Sequence, residues 1–308
     1  MKREIFKSFD GAEINIAVWD GAAAPIGVVQ IVHGMAEHIA RYDGFAKFLN
    51  ENGIICAGGD HRGHGLTANG AYGKYSAGDI ARDTLRDQIA LTDMLKSRYN
   101  LPVIVFGHSY GSFLTQGYIL EPAPDRSPTA GRPAAYVLSG SAYMGGLLPA
   151  FGRMMADGKV RRGKADEDGK TFAKMTFESY DKKLRAGKNA WLSRDAAECE
   201  KYNADPMCGF ICSNGFYKSF FALLKSTTNR RALSLVDKNV KIHIVSGGRD
   251  AVGGYGKLVG KLAGNYEKRG FKNVTHKIYD GYRHEILNET GRETVYGDLL
   301  NYFQKIFH

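Results

Sequence analysis

The sequence predicts an α/β fold: a mostly parallel sheet covered by helices on both faces, with a helical segment inserted into it. Three observations predict it. Short β-branched apolar runs such as Val103–Phe106 suit strands buried on both faces. From Ile26 to Ser139 such runs alternate with stretches of helical period. The alternation stops at about Ala142 and resumes at Lys241, which marks an insertion.

Taken in order, Glu4–Phe9 and Glu13–Trp19 flank Asp10-Gly11, a hairpin signal, and are expected to open the sheet as antiparallel strands. Ile26–Val32 is the third strand and runs into His33-Gly34-Met35-Ala36-Glu37-His38. A helix is expected over Tyr42–Glu51, ending at Asn52-Gly53. Ile54–Gly58 is the fourth strand, followed by Asp60-His61-Arg62-Gly63-His64-Gly65. The long helix Ala77–Tyr99 places Ala81, Leu85 and Ile89 on one face. Val103–Phe106, a helix, a polar loop over Glu121–Pro133 and strand Tyr136–Ser139 follow. The insertion, 142–237, carries apolar clusters, among them Phe151, Met154 and Met155, then Phe216, Phe220 and Phe221. It is expected to form a helical cap that roofs the sheet edge. Strand Lys241–Val245, helix Gly254–Arg269, strand Val274–Tyr279 and a last helix with Val295, Leu299 and Phe303 at helical spacing return to the core. The core is therefore 1–141 with 238–308.

Composition narrows the function classes. The 308 residues suffice for a large core, and 42 Lys+Arg against 32 Asp+Glu give a net charge of +10. No basic stripe carries that excess. The densest run, Lys159–Lys164, is followed at once by Asp166-Glu167-Asp168, so it reads as a solvated face rather than a nucleic-acid site. A transient attraction to anionic lipid surfaces stays open. Cys56, Cys199, Cys208 and Cys212 have neither disulfide-scaffold nor zinc-site spacing. No run reaches a membrane span, and Met1–Lys7 lacks the apolar region of a signal peptide. Free thiols without an export signal predict a cytoplasmic protein.

The chemistry is concentrated at Gly107-His108-Ser109-Tyr110-Gly111, a G-x-S-x-G between a strand and a helix. That context is a nucleophile elbow: the serine is held in a sharp turn, beside helix N–H groups free to bind a developing oxyanion. Serine needs a base, and the base needs an orienting acid. Asp250 follows Lys241–Val245, and His284 follows Val274–Tyr279, so Ser109, Asp250 and His284 each follow a separate strand in the order such a sheet requires. Parallel strands bring their C-terminal ends to one edge. Asp280 is a rival acid. Asp60 precedes the serine, which is the wrong order. His33 reads as a loop-fixing residue, His243 as packed within a strand, and His108 as pointing away from the nucleophile. The amides of Met35 and Tyr110 are the expected oxyanion donors.

Together the blocks His33–His38, Asp60–Gly65, Gly107–Ser112, Gly248-Arg249-Asp250 and Arg283-His284-Glu285 resemble the monoacylglycerol lipase/lysophospholipase branch of the α/β-hydrolases. The resemblance implies an α/β-hydrolase fold, a Ser109–Asp250–His284 triad, Met35 and Tyr110 as oxyanion donors, and a mobile apolar cap over an acyl tunnel. It implies hydrolysis of a small lipid ester through an acyl enzyme. Neither a metal nor an organic cofactor is expected. A small-ester esterase, a thioesterase or an aminopeptidase on the same scaffold is the alternative, the last needing carboxylates such as Asp166, Glu167 or Glu178 to hold an ammonium group. A non-catalytic binding protein is a further alternative; it would be expected to lack a triad member, and none is missing.

Overall fold

The computed structural model describes residues 1–74, 78–121, 132–184 and 186–308. β1 (Lys2–Lys7) and β2 (Glu13–Trp19) form the expected antiparallel hairpin. β2 is also antiparallel to β4 (Ile54–Gly59). β3 (Gly27–Val32), β5 (Val103–His108), β6 (Ala135–Ser139), β7 (Lys241–Gly247) and β8 (Asn273–Tyr279) run parallel to their neighbours. Among the described residues they make one eight-stranded sheet, in the order β1-β2-β4-β3-β5-β6-β7-β8.

The inner strands β3, β4, β5 and β6 are buried throughout because both faces are covered, whereas the edge strands β1 and β8 are largely exposed. Along β5, Ile104 and Phe106 pack with Phe45 and Leu49 of α1 (Asp43–Glu51) and Leu299 and Phe303 of α11 (Arg292–Phe307). Val105 points the other way, toward Leu85 of α2 (Ile80–Tyr99) and Phe113 of α3 (Tyr110–Leu120). That alternation is the period of two of a strand. Leu262 of α10 (Lys257–Glu267) joins the second face. The expected helix over 77–99 is capped by the Asp79 carboxylate, which accepts from the Arg82 N–H; the three residues 75–77 and most of the expected loop, 122–131, lie outside the described residues. The first turn expected at Tyr42 is instead a 3-10 turn over Ile39–Tyr42, and α10 starts at Lys257 rather than Gly254.

Between β6 and β7 the described chain is helical: α4 (Leu147–Arg161), α5 (Lys170–Ala173), a π turn (Lys174–Glu178), α6 (Ser179–Leu184), α7 (Ala196–Ala204), α8 (Asn214–Ser226) and α9 (Arg230–Leu235). α8 is a core helix. Its Phe216, Tyr217 and Leu224 are buried with Leu85 and Phe113. α4 lies against it through small residues: a Cβ on Gly152 would stand 2.6 Å from the Phe221 ring. Because Gly152 and Ala156 face inward, Leu147, Phe151 and Met154 face outward and are exposed. Of the apolar residues expected to roof the sheet edge, Phe151 and Met154 are thus on the far side of α4, while Met155, Phe216, Phe220 and Phe221 pack into the core. No helix among the described residues is long and apolar enough to cross a membrane.

Candidate active site

β5 ends in the turn at Ser109, which sits at φ 51° and ψ −118°, a conformation costly for a residue with a Cβ. Its surroundings hold it there. The Ser109 N–H donates to the Ser139 carbonyl at 2.9 Å, and the Ser109 carbonyl accepts from the Ser112 N–H at 2.8 Å and the Ser112 hydroxyl at 2.6 Å. The turn also needs room. A Cβ on Gly111 would stand 1.9 Å from the Val32 carbonyl, so only glycine lets α3 start against the end of β3. That contact brings the loop after β3 to the serine: a Cβ on Gly34 would lie 3.3 Å from the Ser109 Cβ. No hydrogen bond from the Met35 or Tyr110 N–H to another part of the protein is present among the described residues.

Asp250 and His284 meet as the strand order requires. The segments after β7 and β8 are tied by the Gly248 N–H to the Tyr279 carbonyl (2.7 Å) and the Arg249 N–H to the Tyr282 carbonyl (2.8 Å). His284 Nδ1 donates to Asp250 Oδ1 at 2.9 Å, and both side chains are buried. The same oxygen accepts from the Val252 N–H at 2.8 Å, and the other from the Ser246 hydroxyl at 3.2 Å. This fixes the tautomer, with Nε2 as the open acceptor; Nε2 is buried and has no partner. Burial alone would lower the His284 pKa, but the Asp250 charge and hydrogen bond outweigh it and raise it. Burial alone would raise the Asp250 pKa, and the same partner holds it below the ordinary range. Asp280, the rival acid, is exposed at the turn after β8.

Ser109 and His284 line one cavity of about 20 Å³, together with Met35, His108, Trp191 and Tyr202. That volume holds about one water molecule. Its apolar wall is Phe177, Trp191 and Leu192. Phe216 and Phe220, grouped with the roof in the sequence, pack instead against the Tyr110 ring at 5.3 and 5.6 Å. His108 does not point away. Its ring lies 4.8 Å from that of His284, in space left by Gly140, where a Cβ would be 3.1 Å from His108 and 2.9 Å from His284. Burial, with the His284 charge, pushes the His108 pKa down to about 3, so it stays neutral and is a poor base.

His33 and His243 are structural, as read from sequence, and His61 and His64 are buried beside His33. His33 Nδ1 donates to the Gly34 carbonyl at 2.8 Å, its Nε2 accepts the His61 N–H at 3.0 Å, and its ring stacks on His61 at 3.7 Å. Burial lowers the pKa of His61 to about 3 and of His64 to about 4. His243 bonds Thr275 at 2.8 Å and stacks on Tyr302. Asp60 accepts from the Ile39 and Leu66 N–H groups and so ties loops rather than a base.

Sequence reasoning missed a charged network around Arg41. Its guanidinium donates to Glu37 at 2.5 Å and, through two nitrogens, to Glu285 at 2.7 Å each. Glu37 in turn accepts from the Gly34 N–H at 2.5 Å and the Tyr42 hydroxyl at 2.9 Å. One cation therefore joins the loop of Gly34 and Met35 to the residue after His284. Arg41→Ala is expected to leave two buried carboxylates unpaired, at a cost of about 3–5 kcal/mol in urea unfolding. Arg41→Lys should rescue little, since a lysine cannot make the paired contact. The sign with pH also follows. Burial would raise the Glu285 pKa, but Arg41 holds it well below the ordinary value. The stabilisation is then full above about pH 4.3, the ordinary glutamate value, and is lost as pH falls through the depressed one. An acid-unfolding midpoint unchanged by Arg41→Ala would contradict it.

His38 Nε2 bonds the Asp205 carboxylate at 2.8 Å. With Cys208 these form the group of potential metal ligands among the described residues, within 4.8 Å of one another. Burial pushes the Cys208 thiol up, so it is not a thiolate. All four cysteines are free.

The family model described as Serine aminopeptidase, S33 (Hydrolase_4), matches residues 23–291. The chain belongs to this α/β-hydrolase family. It is 28% identical over 304 residues to the monoacylglycerol lipase of Mycolicibacterium smegmatis, covering 96% of this chain and 95% of that protein. It is 25% identical over 285 residues to the monoglyceride lipase of Homo sapiens, covering 91% and 82%. A thermostable carboxyl esterase from Bacillus coagulans, solved in complex with glycerol, superposes with a TM-score of 0.88 at 25% identity, covering 100% of this chain and 99% of that one. This α/β-hydrolase is thus homologous to lipases and esterases, and its fold is that of a serine hydrolase.

Proposed function

We propose that this α/β-hydrolase is a serine ester hydrolase acting on monoacylglycerols or related single-chain lipid esters. The observation that carries the reading is the buried His284–Asp250 pair, with an unpartnered Nε2, on a cavity that His284 lines together with Ser109. Ser109 Oγ attacks the acyl carbonyl while His284 Nε2 takes its proton. The Met35 and Tyr110 N–H groups receive the oxyanion, at the start of α3, where helix N–H groups are unpaired. His284 then protonates the leaving alcohol, and a water activated by the same nitrogen releases the acid. Among the described residues no hydrogen bond joins the Ser109 hydroxyl to His284; such contacts tighten when substrate binds.

Residues 142–237 are read as the cap, and the small cavity as its closed state. Its aromatic and aliphatic wall suits an acyl chain better than a charged group. An aminopeptidase would need a carboxylate for the substrate ammonium. The two that line the cavity, Glu37 and Glu285, are both committed to Arg41, and Asp166, Glu167 and Glu178 are exposed. The test is kcat/KM against monoesters from acetate to palmitate, kept below micelle formation. Each methylene that becomes buried should raise it by up to roughly fourfold, the equivalent of about 0.8 kcal/mol. A steady fall from acetate upward would make the protein a small-ester esterase and leave the triad assignment standing.

A further inference from the structure

One short segment between β6 and β7 is held quite differently from its neighbours. Residues 190–193 run alongside 283–285 and are joined to them by backbone. The Glu285 N–H donates to the Leu192 carbonyl at 2.7 Å, and the His284 N–H to the Trp191 carbonyl at 3.4 Å. The Arg283 guanidinium donates to the carbonyls of Ala190 and Ser193 at 2.7 and 2.9 Å. The Ser193 hydroxyl reaches the Asn288 carbonyl at 2.8 Å, and Arg194 pairs with the buried Glu289 at 2.8 Å. This strap seats the Trp191 ring on the His284 ring, with centroids 4.8 Å apart and planes at 36°. Phe177 stacks on the outer side of the indole at 5.6 Å, and Tyr180 meets it edge-on at 5.3 Å. Trp191 is 7% exposed and lines the cavity that Ser109 and His284 share.

We propose that Trp191 is a positioning residue of the reaction, whose indole face fixes the His284 imidazole and stabilises the imidazolium formed when Ser109 gives up its proton. The inference rests on the Ser109–His284–Asp250 reading above. The physics is the attraction of a cation to a π face, strongest for tryptophan and in sites shielded from water. The proton's path is unchanged: it leaves Ser109 Oγ for His284 Nε2 and passes on to the leaving alcohol, with no further reactant. The charged and titratable groups facing the imidazole are Asp250 from the segment after β7, His108 from the end of β5, Glu37 from the loop after β3, and Glu285 beside it.

The experiment compares Trp191→Leu, Trp191→Phe and the native chain in pH profiles of kcat and kcat/KM on one soluble ester. Trp191→Leu keeps an apolar cover and loses the π face. It is expected to lower kcat by roughly three- to thirtyfold, with little change in KM, and to move the acid limb of kcat/KM to lower pH, because the charged imidazole loses support. Trp191→Phe should restore most of both. A merely space-filling tryptophan would leave the acid limb in place, and a residue acting through its Nε1–H would make Phe as poor as Leu; either result overturns the proposal. Should Trp191→Leu fail to fold, fluorinated tryptophans decide the matter in an intact chain. Fluorine drains the π face, so kcat should fall stepwise with fluorine number. Trp191→Phe protein labelled in the same way retains Trp19, the other tryptophan, and should show no such trend. A flat series in the native chain refutes the inference. Turnover retained by Ser109→Ala or His284→Ala would instead refute the triad reading, whatever Trp191 does.

Discussion

Ser109→Ala and His284→Ala are each expected to abolish nearly all ester turnover, and the double variant to be hardly slower than either single one. The reason is that nucleophile and base act as one unit. Without His284, the Ser109 hydroxyl has no acceptor for its proton: His108 is the other imidazole on the cavity, and burial holds its pKa near about 3. Without Ser109, the His284 Nε2 has nothing to activate but water. In such relays a single loss costs on the order of a millionfold in kcat, and a second loss adds almost nothing. The residue of rate left in each variant should be similar and should reflect the oxyanion donors alone. Ser109 is partly exposed to the cavity and its turn is held by backbone bonds, so alanine there should leave thermal stability nearly unchanged. The measurement is kcat for all three variants on the preferred ester. Multiplicative losses in the double variant would sink the assignment.

Asp250→Asn is expected to fold and to lower kcat by roughly four orders of magnitude. Asp250 Oδ1 accepts two hydrogen bonds, from His284 Nδ1 and the Val252 N–H, while Oδ2 accepts from Ser246. An asparagine must turn its amide oxygen toward one side and its NH₂ toward the other. Where the NH₂ faces His284, Nδ1 becomes the acceptor and the ring proton moves to Nε2, the atom that should accept from serine. The carboxylate is also what raises the His284 pKa. The residual activity should therefore show its acid limb at lower pH than the native protein, since the imidazole loses its proton more readily. Asp280→Asn is the control: the side chain is exposed, and its replacement should leave both rate and profile as they are. The opposite pattern would transfer the role to Asp280.

The juxtaposition of Asp250 and His284 is legible in the sequence because strand ends on a parallel sheet share an edge, whatever the chain does between them. The elbow at Ser109 is legible because its cause is local: two glycines, an apolar strand and a helix within a dozen residues. Arg41 is not legible in that way. Glu37 lies one helical turn before it, but Glu285 is 244 residues later, and no local pattern announces that both carboxylates are buried on one guanidinium. Trp191 is hidden for the same reason, since its contacts with 283–285 span the last third of the chain. The direction of α4 is legible in spacing rather than in composition. Large residues at 147, 151 and 154 alternate with Gly152 and Ala156, and the small face is the one that can approach α8. Composition marked the segment as apolar; only the spacing of its small residues tells which side is buried. The orientation of His108 does not follow from its neighbour Ser109 in sequence, because its position is set by the space that Gly140 leaves open.

The strap at 190–193 also decides where this fold can be cut for chimeras. Helix α4 lies on α8 by side-chain packing, but residues 165–169 are joined to 212–215 by backbone bonds, and the Asp181 carboxylate accepts from the Asn189 and Trp191 N–H groups. Residues 190–194 are bonded through carbonyls, a guanidinium and an ion pair to the segment that carries His284. A graft that replaces everything between β6 and β7 would therefore strip the His284 segment of its backbone partners. A graft confined to α4, 147–161, would spare both sets of bonds and leave the His284 segment laced to its own chain. Libraries that vary this helix alone have their natural seam after Arg161.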